Sequence, residues 1–164
     1  MEAFSNYIAE YRKQLQKGAV QAAYRGLIEY ITGLRTHLSN KYPDYSVSGG
    51  IYQGTMDMTY FSFTLEPIKN RNLKIAVVFV YDRFRFEAWL GGVNRQVQSE
   101  YWKLLNDSGW DRYRIVPPGK GIDSILENVL VKDPDFIDLD SITERIETGT
   151  LKFIADVENF LSRH

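Results

Sequence analysis

Leu73 to Leu90, LKIAVVFVYDRFRFEAWL, is the stretch whose reading decides the fold. It holds two runs of high strand propensity, Ile75–Tyr81 and Phe84–Trp89, around Asp82-Arg83. A two-residue turn at Asp82-Arg83 sets Tyr81 against Phe84, Phe79 against Phe86, Val77 against Ala88 and Ile75 against Leu90. Every pair on that face is apolar, which pins the register. The opposite face pairs Val80 with Arg85, Val78 with Glu87 and Ala76 with Trp89, so it is apolar on one arm and mixed on the other. Such a face is expected to be covered too, with its charges partly desolvated. Asp-Arg is a weak primed-turn dipeptide, so a longer loop stays open, and a loop with one more residue would break this pairing.

Outward from the hairpin, Thr55 to Leu65 reads as a second strand with both faces covered, and Tyr45 to Tyr52 as a strand broken by Gly49-Gly50. The intervening EPIKNRN reads as a polar, exposed loop. Phe4, Tyr7, Ile8, Tyr11 and Leu15 form one stripe of a helix over 2–16. Val20, Tyr24, Leu27, Ile31, Leu34 and Leu38 form the seam of another over 19–41, which Pro43 ends. After Gly91-Gly92, a helix is predicted over 94–106, a short strand over 112–116, a helix over 122–131 and a last helix over 141–163, N-capped by Asp140 or Ser141. Strands in a run, flanked by helices, predict an α+β fold. The expectation is one domain over 1–164: an antiparallel sheet of four to five strands, a meander around the 73–90 hairpin, packed by N- and C-terminal helices.

The 164 residues contain no Cys and two His, which excludes disulfides and thiolate metal sites and leaves little for imidazole chemistry. No apolar run reaches membrane-spanning length, and MEAFSNYIAEYRKQ lacks the shape of a signal peptide; the expected compartment is the cytoplasm. Residues 1–122 hold 16 Lys/Arg against 11 Asp/Glu, and 123–164 hold 4 against 10, net charges of +5 and −6. An acidic tail packed on a basic body explains this better than a nucleic-acid surface, because the basic residues are scattered.

Four groups are candidates for chemistry. Asp57 and Glu87, on different strands, could hold Mg²⁺ through oxygen; alternatively Asp57 caps a turn and Glu87 pairs with Arg85 or Arg83. Pro117-Pro118-Gly119-Lys120-Gly121 lies between a predicted strand and helix, but Arg114 and Gly121 stand where a phosphate loop needs Gly and Ser/Thr. Asp133, Asp135, Asp138 and Asp140 lack the spacing and glycine of a calcium loop. An aromatic set, including Tyr52, Tyr60, Trp89, Trp102 and Trp110, accompanies Arg83, Arg85, Arg95 and Arg112. Of these, Arg85, Trp89, Arg95 and Tyr52 are the expected binding residues. No Ser/His/Asp or Cys/His arrangement is available, and His37 has no visible partner.

The runs MDMTYF (56–61) and FRFEAWLGGVNR (84–95) resemble a family of small uncharacterised prokaryotic proteins, which implies a fold unit and a prokaryotic source but no catalytic role. The order helix, meander, helix, strand also resembles the core of the restriction-endonuclease-like nucleases. That resemblance implies a strand Asp and a Glu-x-Lys; here the triplet is Glu87-Ala88-Trp89, with Trp in the place of Lys. The expectation is therefore a non-catalytic binding or interaction module for a small molecule or protein, with no cofactor. The alternative is a Mg²⁺-dependent, nuclease-like and degenerate enzyme. An oligomeric structural protein associating through the first two helices is a third expectation, with a homodimer as one form of it.

Overall fold

The computed structural model describes residues 1–164. The elements are α1 (Glu2–Gln16), α2 (Ala19–Lys41), β1 (Ser46–Val47), β2 (Met58–Thr64), α3 (Glu66–Lys69), β3 (Leu73–Val80), β4 (Arg85–Gly92), α4 (Arg95–Asp107), β5 (Arg114–Ile115), β6 (Leu126–Val131) and α5 (Leu139–Ser162). The fold is α+β, and the sheet is open and antiparallel with order β1-β2-β3-β4-β6-β5.

The hairpin has the expected register, Ile75 opposite Leu90, Val77 opposite Ala88 and Phe79 opposite Phe86. Its loop is longer than two residues: the ladder stops at Val80–Arg85, and Tyr81–Phe84 form a turn closed by the Phe84 amide on the Tyr81 carbonyl at 3.2 Å. Lengthening by two keeps the parity of the side chains, so no face is exchanged. Phe84 takes the left-handed φ of 50° that the turn requires.

Six strands replace the expected four to five, because 122–131 contains β6 and not a helix. Ile122, Ile125, Leu126, Val129 and Leu130 carry a helical spacing over too short a run for spacing to decide. The open backbone edge of β4 decides it, taking up β6 with a bulge at Phe86 and Glu87. The strand expected over 45–52 shrinks to Ser46–Val47 and one bridge, Tyr52 to Tyr60. EPIKNRN is not all exposed: α3 turns within it and fully buries Ile68. The N-cap of α5 is Asp138, whose carboxylate accepts from the Ser141 amide at 3.1 Å, ahead of the expected Asp140 or Ser141.

One face of the sheet carries the core. Phe61, Phe63, Ile75, Phe79, Phe86 and Leu90 meet Ile31, Leu34 and Leu38 of α2 and Ile142, Ile146, Phe153 and Val157 of α5. The opposite face has only a small cluster of sheet residues, Ala76, Val78 and Val80, with Met58, Tyr60 and Trp89 packed on it. The expected second cover over this face is therefore made by its own long side chains, and Met58, Tyr60 and Ser62 of β2 stay half-exposed.

Part of the acidic tail forms ion pairs with the body. Glu147 of α5 meets Lys41 at 3.0 Å and His37 at 3.1 Å, so His37 does have a partner. Asp156 meets Arg112 at 2.7 Å and Lys152 at 2.9 Å, and accepts from the Tyr113 hydroxyl. Burial pushes both carboxyls up, but the hydrogen bonds outweigh it, from Lys41 and His37 on Glu147 and from Tyr113 and Lys152 on Asp156; both end below the ordinary carboxylate range. Their stabilisation is present above the unfolded-state pKa and is lost as pH falls through the depressed folded values. Urea midpoints are expected to drop between neutral pH and about pH 3, and less steeply in a variant that combines Glu147→Gln with Asp156→Asn. Equal slopes for both proteins would show that these carboxyls do not carry the acid sensitivity.

Candidate binding cleft

The half-open face holds a cleft of about 450 Å³. Its floor is Ala76 and Val78 of β3, supplied by the period-two alternation Lys74, Ala76, Val78, Val80. Tyr60 of β2 and Trp89 of β4 flank the floor on the neighbouring strands, since Tyr60 lies opposite Val78 and Trp89 opposite Ala76. The strands thus set two aromatic rings on either side of an apolar strip.

Tyr52 extends the Tyr60 wall, with ring centroids 5.0 Å apart. The bridge to Tyr60 and buried Thr59 hold the Tyr52 segment; the Thr59 hydroxyl bonds the Gln53 carbonyl and the Tyr81 hydroxyl, both at 2.7 Å. Gly54 makes the bend that follows. Its φ is +76°, and a Cβ there would run into the Met58 carbonyl oxygen, so only glycine fits.

The far end is closed by the start of α4. Asn94 caps the helix, its side chain accepting from the Val97 amide at 2.9 Å, and Arg95 and Gln98 of the first turns line the cleft. This packing needs Gly92, where a Cβ would lie 2.8 Å from the Gln98 amide nitrogen. Buried Gln98 donates to the Ile122 carbonyl at 3.0 Å, and Arg95 donates to the Gly119 carbonyl at 3.1 Å. Lys74 stands across from them, its Nζ 5.6 Å from the Tyr60 ring centroid. Neither Lys74 nor Arg95 is in an ion pair, whereas Arg83, Arg85, Arg112 and Arg114 all are. Asp57 and Asp123 also reach the cleft. Amides of Thr55 and Met58 donate to the exposed Asp57 carboxylate and hold its pKa below the ordinary value.

Of the residues singled out in the sequence, Tyr52, Tyr60, Trp89, Arg95 and Asp57 come together in this cleft, while Arg85 and Glu87 do not line it. Glu87 is 1% exposed. Its carboxylate accepts from Arg85 Nε at 2.8 Å and from the Trp89 indole N–H at 3.0 Å, with Arg83 at 3.6 Å. Glu127 on the neighbouring strand joins Arg83 and Arg114, each at 3.6 Å. The face thus divides at Trp89 into an aromatic cleft and an arginine–glutamate network.

Asp57 and Glu87 are not brought together. Asp57 lies opposite Tyr81, whose amide donates to its carbonyl at 3.1 Å, and Glu87 lies opposite Val78. Three positions along and two strands across put their backbones roughly 14 Å apart. No group of three or more His, Cys, Asp and Glu side chains is placed to hold a metal. The PPGKG loop leads into a strand and not a helix, so it does not open a helix as a phosphate loop would. Asp135 and Asp138 accept amides within their own connection. Lys74, Gln98 and Asp123 were not among the expected site residues. Lys74 had a signal, being the one charge inside an otherwise apolar strand; Gln98 and Asp123 had none, since only the packing of α4 on β4 brings them in.

No helix is long and apolar enough to cross a membrane. A family model for a domain of unknown function, DUF7000, matches residues 4–161, in agreement with the uncharacterised family expected from the 56–61 and 84–95 runs. No curated protein and no solved structure matches the chain.

Proposed function

The chain belongs to the DUF7000 family, and from that premise, which brings no activity with it, we propose that it is a binding protein for a small planar molecule carrying an anionic group. One observation carries this reading: two cations without carboxylate partners, Lys74 and Arg95, stand at one end of a cleft with an apolar floor and aromatic walls. Apolar pockets with a few convergent polar groups are the usual form of small-molecule sites. The rings of Trp89, Tyr60 and Tyr52 offer faces for stacking. Arg95 offers a planar fork for a carboxylate or phosphate. Gln98 has its side-chain N–H committed to carbonyls, which leaves its amide oxygen as an acceptor that sets orientation.

The test is calorimetry against aromatic carboxylates and aromatic phosphates. At least one is expected to bind, and Lys74→Ala and Arg95→Ala are each expected to weaken it about tenfold, the size of a charge-assisted hydrogen bond. Trp89→Ala is expected to weaken all binders. Binding that ignores both cation substitutions, or no binder in the panel, would remove the reading. The nuclease-like alternative draws no support from the geometry of Asp57 and Glu87.

A further inference from the structure

Helix α1 is amphipathic, yet only its C-terminal end, at Gln14 and Leu15, is half-buried. None of its residues is buried, and its stripe stands in solvent, with Phe4 64% and Tyr7 74% exposed and Ile8 and Tyr11 about half so. A helix with such a stripe is expected to pack it, and isolated helices of this length are marginal in water. Only Lys17 and Gly18 join it to α2, and Gly18 turns the chain with φ +76°. No α1 residue enters the groove on the other side of that junction.

That groove is about 560 Å³, and apart from Gly26 every residue lining it is hydrophobic. Val20, Tyr24 and Leu27 of α2 form one wall, and Tyr81, Phe84 and Phe136 the other. The first half of the α2 seam thus faces a trough, while Ile31, Leu34 and Leu38 reach the core. Around the trough Met56, Phe84, Ile137 and Leu139 are exposed, Ile137 at 94%.

We propose that two copies of this chain pair by reciprocal exchange, α1 of each laying its Phe4–Tyr11 stripe into the groove that α2 and Phe136 wall in the other. Area and charge point to a second copy. Ten of the fourteen exposed large hydrophobic residues lie on α1 or about this groove. They leave roughly 1,000 Å² exposed per copy, taking about 200 Å² for a fully exposed ring. A standard interface buries about 800 Å² per partner. Asp135, Asp138 and Asp140 stand in sequence beside Phe136, Ile137 and Leu139, while α1, after Glu2 and Glu10, ends toward its junction in Arg12, Lys13 and Lys17. Reciprocal exchange uses each contact twice and closes on itself, so it stops at two copies.

The chain has no Cys, which permits a direct test. Sedimentation velocity on the full chain across micromolar concentrations is expected to give a dimer. Ile8→Asp is expected to raise its Kd about thirtyfold or more, with the melting temperature of dilute protein little changed because Ile8 lies on a helix that holds no buried residue. Mixing a Tyr7→Cys chain with a Met56→Cys chain under oxidation is expected to give a covalent pair containing one of each. A monomer at every concentration overturns the proposal. So does a dimer in which Tyr7→Cys crosslinks only to itself, or a doubly substituted chain that closes within one molecule.

Discussion

Phe79→Ala is expected to cost about 3–5 kcal/mol of unfolding free energy, read as a shift of the urea midpoint at unchanged slope. The ring is 1% exposed and sits at the centre of an aromatic cluster, with centroids 5.0 Å from Phe84, 4.9 Å from Phe86 and 6.5 Å from Phe136. It also meets Tyr81 edge-on at 5.1 Å. Removal leaves a void that the hairpin backbone, paired on both sides by β2 and β4, cannot close. Phe86→Ala is expected to cost a similar amount, since Phe86 touches Tyr30 of α2 as well as Phe79. The double substitution is expected to cost less than the sum, because each single one already loses the contact they share. A loss below about 1 kcal/mol for Phe79→Ala would mean that the Phe79 face is not the packed one.

The register behind this prediction was legible because one face of the hairpin pairs apolar with apolar at every step. A one-residue slip between the two arms would have put one of Phe79 and Phe86 on the half-open face. The long helices were legible for the same reason, from stripes such as Ile142, Ile146, Phe153 and Val157. Residues 122–131 show where that reasoning ends. Their spacing fits a helix, and what overrides it is the unpaired edge of β4, a tertiary fact absent from any local window. The α1 stripe marks another boundary: amphipathicity predicts that a face will be buried, and leaves open whether against this chain or a second one. Of the cleft, the aromatic and arginine members could be picked by residue type, and Lys74 by its place in the strand alternation. Gln98 and Asp123 come from segments about 25 residues apart that meet only through the contact of α4 with the end of β4.

Glu87→Ala is expected to cost about 3 kcal/mol, near the low end for breaking a buried ion pair. The carboxylate is enclosed by Arg85 and the Trp89 indole N–H, and removing it leaves both donors without an acceptor. The low end applies because the Arg85 side chain keeps 23% exposure and can turn toward water. Glu87→Gln is expected to fall between the two proteins, its amide oxygen keeping one bond while the charge facing Arg85 and Arg83 is lost. Both substitutions act on the cleft at a distance, since Glu87 fixes the tilt of Trp89 and Trp89 separates the cleft from the arginine network. Ligand affinity is therefore expected to fall in Glu87→Ala although Glu87 does not line the cleft, and to recover in part in Glu87→Gln. A metal-binding Glu87 predicts otherwise: Glu87→Ala would leave stability unchanged or raised, since removing a carboxylate held for an ion relieves repulsion. Urea unfolding of Glu87→Ala beside Glu87→Gln tells the two roles apart before any substrate is known.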